Sequence, residues 1–247
     1  MDGGRVVAIE RFEEVYGRVA VLVLLAATSA FPLAMLAVRR ELTSSIGYRF
    51  LFWNLFLAWV PLGFAAIAEF GWRRHWKRRT LLVPLVLWVL FFPNAPYVLT
   101  DVIHLRETGQ APVWFDALVL FSAGLAGLLV GFVSLRVVQL IVSASFATVW
   151  GWVVALGVLG LSGFGIYLGR FGRHNSWDLL TRPRHLLYNV GTSVDLTSSP
   201  KAAAISALFT AFLVVTYLTS IAIGHITLPH RGEPSVEAPP SADSRYP

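Results

Sequence analysis

The chain has 247 residues, of which 56% are hydrophobic and 14% are charged, and its 20 basic and 14 acidic residues give a formal charge of +6. Soluble domains carry about 25% charged residues, so this composition indicates a membrane protein. The bases stand between long apolar runs rather than on one polar face, which argues against a nucleic-acid partner. Because the chain has no cysteine, disulfides, cysteine nucleophiles and thiolate metal sites are excluded.

Six apolar segments are long enough to cross a membrane as α-helices. About 20 apolar residues span a hydrocarbon core about 30 Å thick, in which a central charge costs about 2.5–3.5 kcal/mol. The segments are residues 19–38, 50–68, 80–100, 117–135, 137–169 and 202–224. The sequence therefore predicts an all-α fold, a polytopic transmembrane helical bundle of about six spans. Since the fifth segment is too long for one helix, we expect a turn at residues 139–145 and a helix from about Phe146.

These spans divide the chain into three parts. Residues 1–18 form an N-terminal cytoplasmic segment, residues 19–228 the transmembrane domain, and residues 229–247 a tail rich in Pro and Ser that we predict to be disordered. A cleaved signal peptide is the alternative for the first span, but its apolar run continues past Ala30.

The loop between the second and third spans carries the strongest charge signal for orientation. An even number of spans puts both termini on one side, and the bases divide almost equally between the two sides. The nine-residue loop at 71–79 nevertheless holds five bases, Arg73, Arg74, Lys77, Arg78 and Arg79. Bases in a short loop favour the cytoplasmic face, so we predict the inner cell membrane with both termini in the cytoplasm.

The third span is predicted to break at a Pro-Asn-Ala-Pro segment. Pro93 and Pro96 remove two backbone donors, and they should push Phe92 and Ala95 away from helical torsions. The carbonyl oxygens released by such a break need hydrogen-bond donors, and the amide of Asn94 is the nearby side chain best equipped to supply them.

Asp101 and His104 follow the break and would share one face of a short second helix that starts near Thr100 or Asp101. A carboxylate can orient and charge an imidazole, so this pair is a candidate acid/base pair or part of a metal site. The alternative is a helix start followed by an interfacial histidine. The chain has no His-Glu-x-x-His motif, and we assign no metal site and no cofactor.

Glycine and tryptophan positions indicate helix contacts and helix ends. Glycines four residues apart allow two helices to approach closely, and tryptophans near span boundaries act as interfacial anchors. The glycine pairs are Gly127 with Gly131 and Gly165 with Gly169. The boundary tryptophans are Trp72, Trp76, Trp114 and Trp177.

A second polar segment, residues 169–178, follows the fifth span and by parity emerges on the same side as Asp101. Its arginines could hold an anionic headgroup or phosphate through paired hydrogen bonds. Alternatively, Arg170 neutralises Asp101, Asp116 or Asp178, and residues 175–178 cap an interfacial helix. The candidate catalytic residues are Asp101, His104 and Asp178. The candidate substrate-binding residues are Asn94, Asp116, Arg170, Arg173, Asn175 and Trp177.

The two polar segments together resemble a bacterial membrane-protein family called domain of unknown function 1361. The motifs that carry this resemblance are Phe-Pro-Asn-Ala-Pro-Tyr at 92–97, Leu-Thr-Asp-Val-Ile-His-Leu at 99–105, Gly-Ile-Tyr-Leu-Gly-Arg-Phe at 165–171 and Asn-Ser-Trp-Asp at 175–178. The resemblance covers roughly residues 48–223 and implies a polytopic membrane protein without an established activity. Because the family often has Trp at the position of His174, this histidine is not expected to be central to any chemistry that the family shares.

Three function classes remain open, and the sequence does not decide whether the protein is an enzyme. An enzyme would act on a lipid-linked or amphiphilic anionic substrate, with Asp101 and His104 as acid and base and Arg170 on the anionic group. A transporter or channel would use the broken third helix, although spans one, two and six contain few polar residues besides Asn54. A non-catalytic scaffold would use the same polar residues to hold helices together. Membrane lipids are the only partners that the sequence predicts.

Overall fold

A computed structural model describes residues 3–45, 47–105, 111–171 and 200–226, with the side chains of 16–45, 47–105, 111–167 and 203–224. These residues form seven α-helices and one 3₁₀ helix, and this part of the chain contains no strand. The elements are α1 (Gly3–Thr43), α2 (Phe50–Arg73), α3 (Arg78–Phe91), α4 (Asn94–Tyr97), the 3₁₀ helix (Val98–His104), α5 (Val113–Ser145), α6 (Thr148–Phe171) and α7 (Pro200–Ile226). The predicted all-α fold is therefore confirmed.

Six helical stretches are long and apolar enough to cross a membrane. They are Tyr16–Thr43, Phe50–Arg73, Arg78–His104, Val113–Ser145, Thr148–Tyr167 and Ala203–Gly224. Each contains most of one segment that the sequence predicts, and α3, α4 and the 3₁₀ helix together make the third span. The chain is a multi-pass membrane protein, and the apolar side chains on the outside of the bundle are those that face lipid.

Helix α5 lies at the centre of the bundle. It packs against α1, α2, α4, the 3₁₀ helix and α6. Of its most apolar stretch of 18 residues, 67% is buried inside the bundle, whereas 11% of the corresponding stretch of α7 is buried. A Cβ on Gly127 would lie 2.7 Å from the carbonyl oxygen of Ala95, and a Cβ on Gly131 would lie 3.0 Å from Ala95 Cβ. The prediction that these two glycines permit close packing is confirmed.

The second glycine pair falls partly outside the described side chains. A Cβ on Gly165 would be in ordinary contact with Pro93 Cβ at 3.5 Å, so α6 passes beside the proline segment without the tightness found at Gly127. Gly169 lies outside the described side chains, and its packing role stays a prediction.

The turn between the fourth and fifth spans lies later than the sequence predicts. Helix α5 continues to Ser145 and α6 begins at Thr148, so the prediction of a turn at residues 139–145 was wrong. Gln139 is buried, and its Oε1 accepts hydrogen bonds from Tyr217 Oη (2.6 Å) and Arg136 Nη1 (3.1 Å). A polar side chain that finds partners on its own and a neighbouring helix does not require the helix to end.

The bundle has two chemically different ends. We call residues 39–54, 98–105 and 111–120 the polar end, and residues 69–79 with 143–150 the basic end. At the polar end α1 meets α2 and the 3₁₀ helix meets α5, whereas at the basic end α2 meets α3 and α5 meets α6.

Candidate functional site

The third span is interrupted at the Pro93–Pro96 segment, where α3 ends at Phe91 and α4 begins at Asn94, but the backbone there is tightened rather than unwound. Phe92 (φ −53°, ψ −41°) and Pro93 (φ −59°, ψ −21°) keep helical torsions, and Ala95 lies within α4. The expectation that Phe92 and Ala95 leave helical torsions was therefore wrong. The backbone hydrogen bond instead connects residues that are closer along the chain, since the N–H of Ala95 donates to the carbonyl of Phe92 (3.0 Å), three residues back rather than four. After the single α-helical turn of α4, in which the N–H of Tyr97 donates to the carbonyl of Pro93 (3.1 Å), a 3₁₀ helix resumes the tighter winding from Val98.

Asn94 supplies the donor that this change of spacing requires. Because the N–H of Ala95 donates to Phe92, the carbonyl of Phe91 lacks the hydrogen bond that Ala95 would donate to it in a regular α-helix. Asn94 Nδ2 donates to that carbonyl over 2.9 Å, which confirms the predicted donor role. The substrate-binding role of Asn94 stays a prediction.

The 3₁₀ helix brings Asp101 and His104 to one face, as the sequence predicts. Residues three apart eclipse each other in this winding, and His104 Nδ1 lies 3.9 Å from Asp101 Oδ1. The same nitrogen lies 3.2 Å from the carbonyl oxygen of Asp101. A carbonyl can only accept a hydrogen bond, so Nδ1 is the donor in this contact, and in the neutral tautomer that makes this bond the lone pair lies on Nε2.

The two side chains differ in exposure, which separates their chemical roles. The Asp101 side chain is 1% exposed and that of His104 is 41% exposed. The backbone carbonyl of Asp101 orients the imidazole, and the buried carboxylate, 3.9 Å from Nδ1, is close enough to stabilise positive charge on the ring.

Helix α2 contributes two residues that the sequence does not predict for the site. Asn54 Nδ2 donates to Asp101 Oδ2 over 2.7 Å, and the ring of Phe50 lies 4.9 Å from that of His104. Phe50 and Asn54 are four residues apart and so share one face of α2. The available signal was Asn54 itself, an amide within an apolar span, since such groups are costly unless they are satisfied.

Asp116 lies nearby at the start of α5 and belongs to a buried ion pair. Its carboxylate accepts hydrogen bonds from Arg39 Nε (2.8 Å) and Nη2 (3.2 Å) and from Tyr48 Oη (3.2 Å). Arg39 and Asp116 are 2% and 1% exposed. Arg39 is therefore a partner of Asp116, and the role of Asp116 in substrate binding stays a prediction.

The α1–α2 connection closes over the guanidinium of Arg39. Arg39 Nη1 donates to the carbonyl of Ser45 (3.1 Å), and the ring of Tyr48 lies 5.6 Å from the guanidinium carbon. Gly47 has a φ of 70°, and a Cβ there would lie 2.7 Å from Arg39 Nη1. Glycine is required at this position because both the torsion and the space exclude a side chain.

The direction of α6 carries the start of the second polar segment toward the polar end. Helix α6 runs from the basic end past Pro93, which lies beside Gly165, and it ends at Phe171. The side chains of Arg170, Arg173, Asn175, Trp177 and Asp178 lie outside the described residues, and their site roles stay predictions. Within the described part of the chain, no group of three or more His, Asp or Glu side chains could hold a metal ion.

Comparison with known protein families gives one match. The model of a family described as "Protein of unknown function (DUF1361)" matches residues 53–217. The match contains Asn54, Asp101, His104 and Asp116, whereas Arg39 and Tyr48 precede it. Neither a curated protein nor a solved structure matches the chain.

Proposed function

The chain belongs to the DUF1361 family, and we propose that its polar end is the acid–base site of a membrane enzyme that acts on an amphiphilic anionic substrate. The observation that supports this proposal is the fixed imidazole of His104. Its Nδ1 lies 3.2 Å from the Asp101 carbonyl oxygen, and its side chain is 41% exposed, which leaves Nε2 as the basic atom.

His104 acts as the general base in this proposal. Nε2 takes a proton from a substrate hydroxyl or from water, and the nearby carboxylate of Asp101 stabilises the imidazolium that forms. Asn54, through its 2.7 Å hydrogen bond to Asp101, and Phe50, against the ring of His104, are positioning residues. A positioned general base contributes about 10²–10⁴-fold to a reaction rate.

The surroundings of His104 favour a substrate with an apolar part. Val102 and Ile103, its neighbours in the 3₁₀ helix, are exposed, as is Trp114 at the start of α5. In a membrane-spanning bundle such side chains face lipid, so a substrate can reach the imidazole while its apolar part stays in the bilayer. In this proposal Arg170 and Arg173 bind the anionic group, and Asp178 assists the acid/base chemistry.

We also propose that the protein lies in the inner cell membrane with both termini in the cytoplasm. The polar end then faces away from the cytoplasm, and its substrate comes from the outer leaflet of that membrane. Activity of a reporter that functions only outside the cytoplasm, when it is fused to the C-terminus, would contradict this orientation.

A non-catalytic scaffold is the second candidate. Asp116 accepts three hydrogen bonds from Arg39 and Tyr48, and Asn54 holds Asp101, which is the mutual saturation expected of a structural lock. A transporter gains no similar support, because the proline segment keeps helical torsions instead of forming an unwound binding site.

The test compares two histidines at opposite ends of the protein. Cells producing His104→Ala, Asp101→Asn or the control variant His75→Ala in place of the native protein are extracted, and their lipids are compared by mass spectrometry. We expect the first two variants to accumulate the same anionic amphiphile as cells lacking the gene, while His75→Ala matches the native protein.

Added imidazole distinguishes catalysis from structure. We expect it to restore the lipid profile of cells producing His104→Ala, because free imidazole can replace a missing base but not a missing packing contact. If folded His104→Ala and Asp101→Asn proteins both maintain the native lipid profile, the site is not catalytic.

A further inference from the structure

At the basic end, α2 stops in a tightly hydrogen-bonded turn. The N–H of Trp76 donates to the carbonyl of Gly71 (2.9 Å), and the N–H of His75 donates to that of Trp72 (3.1 Å). His75 between them has a φ of 53°. This is the Schellman arrangement that ends many helices, here with a histidine at the left-handed position where glycine is usual.

Aromatic rings fix this turn against the bundle. The ring of Trp76 lies on Gly71, where a Cβ would be 2.5 Å from Trp76 Cε3, and it meets the ring of Phe70 edge-on at 6.1 Å. Trp72 Nε1 donates to Ser145 Oγ (3.0 Å) at the end of α5. These contacts hold in one conformation the backbone from which the basic side chains of the turn project.

The bases of the turn fall into two groups. Arg73 Nε donates to Glu69 Oε1 (3.0 Å), which also accepts a hydrogen bond from Arg18 Nη1 (2.7 Å). The other bases are exposed and have no acidic partner among the described side chains. They are Arg74, Lys77, Arg78 and Arg79, of which Arg74 lies over the ring of Phe70 at 4.7 Å.

We propose that Arg74, Lys77, Arg78 and Arg79, in the segment 72–79 that we call the basic turn, bind the phosphate headgroups of anionic phospholipids. Guanidinium groups bind phosphate oxygens through paired hydrogen bonds, and four bases within six residues concentrate positive charge at one place. Lipid is favoured over a soluble phosphate because the turn joins two membrane spans and carries two partly exposed tryptophans, Trp72 and Trp76.

This site is independent of the proposed acid–base site. The basic turn lies at the opposite end of the bundle from His104, and none of its residues contributes to the polar end. Loss of lipid binding at the basic turn would therefore leave the lipid profile test of His104 unchanged, and failure of either proposal can be recognised without the other.

The experiment measures lipid binding by the purified full chain in detergent micelles with native mass spectrometry. The probes are phosphatidylglycerol, zwitterionic phosphatidylcholine and soluble glycerol phosphate. We expect selective binding of phosphatidylglycerol, and the triple variant Lys77→Gln, Arg78→Gln, Arg79→Gln should bind it roughly 100-fold more weakly, at about fivefold per base.

Single variants with the same charge change supply the control. Arg79→Gln should weaken phosphatidylglycerol binding about fivefold, whereas Arg73→Gln should leave it nearly unchanged, because Arg73 is already held by Glu69. Equal losses in the two variants would mean that only net charge matters and would overturn the proposed site. So would unchanged binding by the folded triple variant, or binding of glycerol phosphate as tight as that of the lipid.

Discussion

Two ion pairs, one at each end of the bundle, differ in how completely they are removed from solvent. At the polar end, the side chains of Arg39 and Asp116 are 2% and 1% exposed and meet through two hydrogen bonds. At the basic end, the side chains of Arg18 and Glu69 are 50% and 20% exposed. The same chemical pairing therefore occurs in two environments within one protein.

The difference shows that burial decides what a charge contributes. A buried ion pair stabilises a fold little more than an apolar pair of similar volume would. Loss of one partner, however, leaves an uncompensated charge in a medium that solvates it poorly. An exposed pair is solvated with or without its partner and is worth little. We therefore expect the stability of the polar end to depend on each of its buried charges, and the exposed charges of the basic end to bind other molecules.

The largest effect is expected from Asp116→Ala. Removing the carboxylate leaves the guanidinium of Arg39 buried without its counter-charge, which should lower the free energy of unfolding by about 3–5 kcal/mol. Denaturation by sodium dodecyl sulfate in mixed micelles measures this loss. The double variant Arg39→Met, Asp116→Leu should recover most of the stability, because it removes both charges and fills the space of the two side chains with apolar groups. A double variant as unstable as Asp116→Ala would contradict this account.

A smaller effect is expected where the third span contacts α5. Gly127→Ala places a Cβ 2.7 Å from the carbonyl oxygen of Ala95, so the two backbones must separate, at a cost of about 1–3 kcal/mol. Gly157→Ala in α6 is the matched control, because no atom lies within 4 Å of the added Cβ. The same denaturation measurement should show Gly157→Ala to be neutral or slightly stabilising. Equal losses in the two variants would attribute the effect to the residue change rather than to the contact.

The smallest effect is expected from Glu69→Gln at the basic end. Its carboxylate holds Arg18 and Arg73 on an accessible surface, so the loss of stability should be at most about 1 kcal/mol. The variant also removes the carboxylate that holds Arg18, beside the basic turn, and Arg73, within it, and phosphatidylglycerol binding should become tighter. A loss of stability as large as that of Asp116→Ala would show that exposure does not distinguish the two pairs.

The sequence predicts the spans well because one physical rule governs them. Long segments without charges must be helical in a bilayer, so all six spans follow from the sequence. Their ends were less predictable, because Arg39 and Gln139 were expected outside the helices. Both residues lie within longer helices, where distant partners satisfy them, Asp116 in one case and Tyr217 in the other.

The candidate site was predictable only where its contacts are local. Asp101 and His104 are three residues apart, so helical geometry alone places them on one face. Asn54 reaches Asp101 across 47 residues, and no local rule relates those two positions. The torsions at Phe92 could not be foreseen from Pro93 alone, because the chain relieves the lost hydrogen bond by tighter winding and by the amide of Asn94.

The separation of 77 residues between Arg39 and Asp116 has a consequence for biosynthesis. Ribosomes add about 5–20 residues per second, so the arginine is made about 4–15 s before its partner carboxylate. During that interval α5 supplies no counter-charge, and burial of the unpaired guanidinium would be costly. The buried ion pair of the first helix is therefore completed by a helix translated much later.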